Sequence, residues 1–301
     1  MSLSTWFRVI RVKFLLASVI AVSVGLAMSY WQTQRIDVLN AAITMGGVLA
    51  LHASVDLLND FWDYKRGIDT VTKRTKFSGG TGVLPEGLLK PRHVYLAGVV
   101  FLAIGSAAGI YFVVLYGWII AAILGFAIIS IYFYSTRIVD SGLGEVFVGI
   151  KGSMIVLGTI FIQTQAVLAQ NLAAGIVAGT LSAFVLYITS FPDFDADKEK
   201  GRRTLVIVLG KQRATRIFWL FPALAYTTIS VGIVTGVFPL PCLVSFATIP
   251  MVFITGHKMK KSVDDVERFV PVMRSTLLFG RITGALFVVG FLISIFSITN
   301  N

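Results

Sequence analysis

The sequence predicts an all-α integral membrane protein, with nine transmembrane helices around a central cavity. Three observations lead there. Of its 301 residues, 56% are hydrophobic and only 14% charged, against about a quarter charged in soluble proteins. Apolar runs of roughly twenty residues, long enough to cross a bilayer, recur near 14–33, 38–58, 94–115, 117–134, 145–168, 171–191, 217–237, 239–256 and 278–298. Two acidic clusters, one after the second run and one after the sixth, repeat a pattern that suggests two equivalent helix sets around one cavity.

The first run has a basic lead-in (Arg8, Arg11, Lys13) and a small-x-small end at Ala27 and Ser29, features shared with cleavable signal peptides. It is read here as the first span. The third and fourth runs meet at Tyr116-Gly117, and Gly117 is taken as the break between them. The lone cysteine, Cys242, excludes an internal disulfide. The whole chain, 1–301, reads as a single transmembrane domain, with motif-bearing loops at about 59–92 and 192–215.

The net charge of +11 would suit a nucleic-acid binder, but its distribution points elsewhere, and no nucleic-acid partner is expected. If the N-terminus and the segments after spans two, four, six and eight share one side, that side holds 23 of the 26 lysines and arginines. Such a bias orients membrane proteins. It predicts a cytoplasmic N-terminus, cytoplasmic motif loops and an external C-terminus.

Span two runs into "DLLNDFWDYKRGID" at 56–69, and span six into "FPDFDADKEKGRRTL" at 191–205. Four crossings separate the clusters, so both belong on the same face. Asn59 and Asp63 stand four apart, as do Asp193 and Asp197, which puts each pair on one helical face. Clustered carboxylates repel unless a cation neutralises them. An all-oxygen donor set suits magnesium, which completes its octahedron with water and substrate phosphate. Two such pairs imply two Mg2+ ions and a diphosphate between them, with Lys65, Arg66, Lys73, Arg74, Lys198, Arg202 and Arg203 available to help hold it. A polyprenyl diphosphate fits this arrangement: its head would sit at the acidic mouth and its tail would run between the helices toward membrane lipid. The metal would stabilise the leaving diphosphate, and a dry cavity would protect the allylic cation until an electron-rich acceptor attacks it.

The residues of these clusters also carry a resemblance. The chain resembles the UbiA superfamily of intramembrane prenyltransferases, in which an N-D-x-x-D motif and a D-x-x-x-D motif lie on cytoplasmic loops of a nine-helix fold. Asn59, Asp60 and Asp63 match the first motif, and Asp193 and Asp197 the second. Many members carry a further aspartate where this chain has Gly67. Here the next acid is Asp69, and the "DYKRGID" pattern is similar to that of the 1,4-dihydroxy-2-naphthoate polyprenyltransferase branch. "RVKFLLAS" (11–18, with Val12 where that branch usually has proline), "GGTGVLPEGLL" (79–89), "SGLGEVFVGIKGSMIVLGTIFIQT" (141–164) and "DFDADKEKGRRTLVIVLG" (193–210) resemble further signatures of the branch.

The resemblance implies that Asn59, Asp63, Asp193 and Asp197 bind magnesium, with Asp60 and Asp69 as further ligands, their supports or local bases. It also implies an aromatic acceptor, with dihydroxynaphthoate favoured over 4-hydroxybenzoate and over geranylgeranylglyceryl phosphate. In "YFYSTR" (132–137), Tyr134 would face the cation, while Ser135 and Arg137 would contact diphosphate. Lys151 falls inside span five, where a bare charge costs roughly 2.5 to 3.5 kcal/mol, so it is expected to meet the substrate diphosphate rather than Glu145. Arg11 and Lys13 would receive an acceptor carboxylate.

"SGGTG" (78–82) lacks the G-K-[ST] ending of a phosphate-binding P-loop and reads as a mobile loop over the substrate. His52, His93 and His257 show no metal-ligand spacing and read as structural. "KSVDDVERFV" (261–270) reads as a polar linker. A divalent-cation transporter would place acids near mid-span, whereas these follow the spans. A CDP-alcohol phosphotransferase would need a D-G-x-x-A-R core that the chain lacks.

Overall fold

The computed structural model describes the backbone of residues 2–299, and it is helical almost throughout. Met1, Asn300 and Asn301 lie outside the described residues, and the expectation for the extreme C-terminus falls there. The helices are α1 (Leu3–Val9), α2 (Val12–Thr33), α3 (Val38–Lys65), α4 (Pro91–Tyr116), α5 (Trp118–Phe133), α6 (Gly144–Thr164), α7 (Asn171–Thr189), α8 (Phe194–Glu199), α9 (Leu205–Leu209), α10 (Lys211–Ile217), α11 (Leu220–Val234), α12 (Ile249–Ser262) and α13 (Val266–Thr299). A π-helical turn at Tyr134–Ile138 and a 3-10 turn at Val139–Ser141 continue α5, and a 3-10 stretch at Leu240–Thr248 leads into α12. Among the described residues, nine helical segments are long and apolar enough to cross a membrane.

The observed boundaries depart from those read in the sequence where polar residues extend a helix or proline interrupts it. The last span begins at Val266, well before the expected 278, because Asp265 accepts from the free N–H groups of Glu267 and Arg268 and so starts the helix. Span seven is two pieces, α10 and α11, separated at Phe218 and Trp219. Span eight opens as 3-10 helix among Pro239, Pro241 and Pro250, which remove backbone donors from the α-helical ladder. The break between spans three and four is where expected: Gly117 has φ +79° and ψ −152°, a backbone shape that glycine tolerates and other residues avoid.

The packing closes a ring. It runs α2–α3–α4–α5–α6–α7–α11, passes from α11 through the 3-10 stretch Leu240–Thr248 to α12 and α13, and returns from α13 to α2, while α2 also packs against α6 and α7. In lipid there is little hydrophobic gain in pairing helices, so close approach of small residues matters. The α6–α7 seam is built this way from Gly149, Gly152 and Ser153 against Gly175 and Gly179, and Ser153 Oγ donates across it to the Gly175 carbonyl at 2.9 Å. The α3–α4 seam sets Gly98 against Leu57 and Leu58, with Ser54 Oγ donating to the Gly98 carbonyl at 2.8 Å. On the other side of the ring an aromatic core locks α7 to α10, α11 and α13, with Phe184 edge-on to Phe218 and Phe279. Tyr187 is fully buried and donates its hydroxyl to the Ala214 carbonyl.

A Cβ at Gly179 would sit 2.2 Å from the Gly149 carbonyl oxygen, whereas one at Gly125 would meet nothing within 4 Å. Gly179→Ala should therefore lower stability by about 1–3 kcal/mol through overpacking, while Gly125→Ala should be neutral. Thermal unfolding of the two variants in detergent measures the difference.

Candidate active site between two acidic helix ends

The ring encloses one large cavity of about 280 Å³. Its walls are apolar toward the middle of the bundle, through residues such as Ile20, Val24, Ile155, Val177 and Leu181. At one end they carry Asn59, Asp63, Asp69, Asp193, Asp197 and Arg202. Both acidic motifs thus share one end of the bundle, as the crossing count required.

Asn59 and Asp63 occupy successive turns of α3, and Asn59 Nδ2 donates to Asp63 Oδ2 at 3.0 Å. Asp193 and Asp197 are linked by the helical bond from the Asp197 N–H to the Asp193 carbonyl, 2.8 Å. The guanidinium of Arg202 joins the two motifs, donating to Asp63 and to Asp197 Oδ1, the latter at 3.2 Å. Like-charged carboxylates otherwise face each other across a poorly solvated space. Burial pushes Asp193 up to about 8, helped by the negative charge of Asp197. Asp69 is raised to about 7, again mainly by burial and then by Asp63 and Asp60. Asp193 Oδ1 and Asp69 Oδ2 are buried with no hydrogen-bond partner. Unpaired carboxylate oxygens of this kind are costly, and an all-oxygen set lining one cavity fits a hard divalent cation. As the side chains stand, no three acidic, histidine or cysteine residues among those described converge at metal-binding distances, and Arg202 is the positive charge between the motifs.

The loop after α3 is clamped rather than loose. Asp60 is fully buried and points away from the cavity; it accepts from the Thr81 N–H at 3.1 Å and the Thr81 hydroxyl at 2.8 Å, with Arg11 at 3.5 Å. The Gly79 N–H donates to Asp193 Oδ2 at 3.2 Å. A Cβ on Gly80 would lie 2.4 Å from the Asp69 carboxylate, so only glycine lets the loop close over that acid. "SGGTG" is therefore the tie between the two motifs, and Asp60 positions this loop instead of joining the ligand face. The 261–270 stretch ends α12 and begins α13, and its Glu267 pairs with Lys73 at 2.9 Å.

The remaining expected residues divide. Tyr134, in the π-helical turn, lines the cavity, as do Arg11 and Lys151. Ser135 is buried and donates to Asn59 Oδ1 at 2.8 Å, so it orients a motif residue. Lys13, Lys65, Lys73 and Arg137 are exposed and lie off the cavity wall, away from the place expected for them at the substrate. Lys65 lies over the Trp62 ring, and Lys73 is held by Glu267. Arg66 donates to the Ser135 carbonyl and to Asp140 at 2.6 and 3.1 Å. Glu145 accepts from the Leu205 N–H at 3.3 Å and is not a partner of Lys151. The motif reading missed Ser18, His52 and Asp56. Extending the period of α3 upstream from Asp63 through Asn59 reaches Asp56 and His52 on the same face.

The UbiA prenyltransferase family model matches residues 18–278. The chain belongs to the UbiA prenyltransferase family. It is therefore an integral membrane prenyltransferase. It is 27% identical over 303 residues to a 1,4-dihydroxy-2-naphthoate octaprenyltransferase of Bacillus subtilis, covering 96% of this chain and 93% of that one. A protein of the same description from Mycobacterium tuberculosis is 27% identical, covering 91% and 92%. Among solved structures, a UbiA homolog from Aeropyrum pernix superposes with TM-score 0.71 at 17% identity, covering 92% of this chain and 98% of that one. A UbiA homolog from Archaeoglobus fulgidus bound to GPP and Mg2+ gives 0.65 at 15%, covering 94% and 99%. At these identities the solved structures establish the shared fold alone.

Asp69 and Asp193 hold their protons more tightly when folded than at the ordinary value of 3.8. Their contribution to stability is therefore present below about pH 4 and is lost as pH rises through 7 and 8. In chelator, the melting temperature should fall between pH 5 and 8.5, and Asp193→Asn should flatten that fall. Melting curves across pH test this.

Proposed function

We propose that the protein transfers a polyprenyl group from its diphosphate to a lipophilic aromatic acceptor, 1,4-dihydroxy-2-naphthoate in the first instance, in a magnesium-dependent step of menaquinone formation that removes the acceptor carboxylate. One observation carries the reading: a single cavity joins a pole of buried, partly unpaired carboxylates to an apolar interior. An amphipathic donor with an anionic head and a hydrocarbon tail matches both ends. The names of the Bacillus and Mycobacterium relatives support the naphthoate acceptor, and the Mg2+-bound homologs support the metal.

Asn59, Asp63, Asp69, Asp193 and Asp197 would hold the metal, two ions in our reading. Bound there, magnesium supplies the positive charge that offsets the leaving diphosphate. Arg202 already reaches both motifs and provides a fixed cation beside the diphosphate. Ser135 holds Asn59, and Asp60 with Thr81 holds the loop that covers the head group. Tyr134 lines the cavity, where its π face would stabilise positive charge at the allylic carbon. The apolar walls keep water from that carbon. The tail extends between helices toward lipid. The surplus of lysine and arginine at the motif end supports a cytoplasmic location for that end and the N-terminus, with the C-terminus outside.

Magnesium-dependent diphosphate release from geranylgeranyl diphosphate, compared across dihydroxynaphthoate, 4-hydroxybenzoate and geranylgeranylglyceryl phosphate, tests the proposal. Turnover should be fastest with dihydroxynaphthoate and should fall by about a hundredfold or more in Asp63→Ala and Asp193→Ala, which remove charge from the transition-state machinery. Preference for another acceptor would reassign the branch. Wild-type turnover without magnesium would overturn the metal reading.

A further inference from the structure

Below the acidic pole, the cavity holds a second polar cluster that neither the family motifs nor the metal reading employs. On α3, His52, Asp56, Asn59 and Asp63 are spaced four, three and four residues apart and all line the cavity. At 1.5 Å of rise per residue, Asp56 lies about 10 Å deeper in the bundle than Asp63. Ser18 of α2 stands beside His52, with Oγ 2.7 Å from Nδ1. When the hydroxyl donates to Nδ1, the other ring nitrogen, Nε2, carries the proton and faces Asp56 Oδ2 at 3.8 Å, beyond hydrogen-bond reach. Lys151 of α6 completes the cluster.

Two members of this cluster lack partners. Asp56 Oδ2 is buried without a hydrogen bond. Among the described residues, the Lys151 ammonium has no ion pair or hydrogen bond. The carboxylate whose charge bears on Lys151 is Asp56, which is itself answered first by Arg11 and then by Lys151, whereas Asp63, Asp69 and Asp193 are answered by Arg202, and the first two of them also by Arg11. Lys151 therefore belongs to this deeper cluster and not to the diphosphate pole.

We propose that Lys151 and Asp56, with His52 and Ser18 behind them, form a site for a ring hydroxyl of the acceptor, and that this site sets acceptor specificity. The inference rests on the aromatic-acceptor reading above. The chemistry selects the ligand. Asp56 needs a donor and Lys151 needs an acceptor, and one hydroxyl supplies both. A hydrocarbon tail supplies neither. A carboxylate would satisfy Lys151 but repel Asp56, and a cation would do the reverse. The hydrogen bond to Asp56 also draws the hydroxyl proton toward the carboxylate, which enriches the ring in electrons where it must attack. The O–H bond is not broken in this role, so Lys151 and Asp56 act as positioning residues.

The test measures kcat/KM and the separate KM values of the full-length protein with geranylgeranyl diphosphate and magnesium. The acceptors are 1,4-dihydroxy-2-naphthoate and its 1-hydroxy and 4-hydroxy analogues. Wild type should lose about a hundredfold in kcat/KM with one analogue, because its absent hydroxyl leaves buried polar groups unpaired. Lys151→Met should erase most of that discrimination and raise the acceptor KM at least about tenfold, while the KM for prenyl diphosphate stays within about twofold. If Lys151→Met does not fold, Asp56→Asn and the wild-type analogue comparison decide. The proposal is overturned if wild type uses both analogues as well as the dihydroxy acceptor, if either variant keeps full discrimination, or if Lys151→Met raises the prenyl diphosphate KM instead. Turnover without such selectivity sinks this inference alone. Magnesium-dependent prenyl diphosphate binding with no turnover on any aromatic acceptor removes the aromatic reading and this inference together.

Discussion

The constraint on which the rest of the structure depends is the gathering of like charges at one end of an apolar bundle. Asp63, Asp69, Asp193 and Asp197 share one cavity, and all but the half-buried Asp193 are buried. Carboxylates in such a place are tolerable only if something positive or hydrogen-bonding meets them. Arg202 does so for Asp63 and Asp197, and the Gly79 N–H for one oxygen of Asp193. What remains unpaired, on Asp69 and Asp193, is a demand that a divalent cation would satisfy. The charge that makes this site costly for the fold is thus the charge that suits it to its ligand.

That constraint shapes the surrounding elements. The loop between α3 and α4 cannot drift, because Asp60 and Thr81 pin it from behind and glycines let it close over Asp69. Arg8 adds a clamp from α1, bonding the Thr81 carbonyl at 2.8 Å and both oxygens of Glu86. The Arg8 and Glu86 pair is exposed and contributes little by itself. Its effect is to join the N-terminal helix to the same loop. The glycine-lined α6–α7 seam sets the distance between the cavity wall that carries Lys151 and the helix that delivers the second motif.

Polarity inside the cavity is layered by the helical period of α3. Asn59 and Asp63 lie at the acidic end, and Asp56 and His52 deeper in the cavity, all on one stripe. Under the proposed reaction, a single helix would present a metal-facing layer and an acceptor-facing layer at a fixed separation. This rigid spacing is well suited to holding two substrates in line.

Much of this was legible in the sequence because membranes impose simple rules. Length and hydropathy of the apolar runs set the spans, Gly117 marked their division, and an even number of crossings put both motifs at one end. Four-residue spacing paired Asn59 with Asp63 and Asp193 with Asp197, and all four line the one cavity. The sequence could not say which of many basic residues enter the cavity, since positive charge near span ends serves topology wherever the side chain points. Tertiary packing decided that: it brought Arg202 and Lys151 to the cavity wall and left Lys13, Lys65, Lys73 and Arg137 outside. It also turned Asp60 onto Thr81 and joined Ser18 to His52 and Asp56, because contacts across helices depend on rotation and distance between segments, which one-dimensional periodicity does not contain.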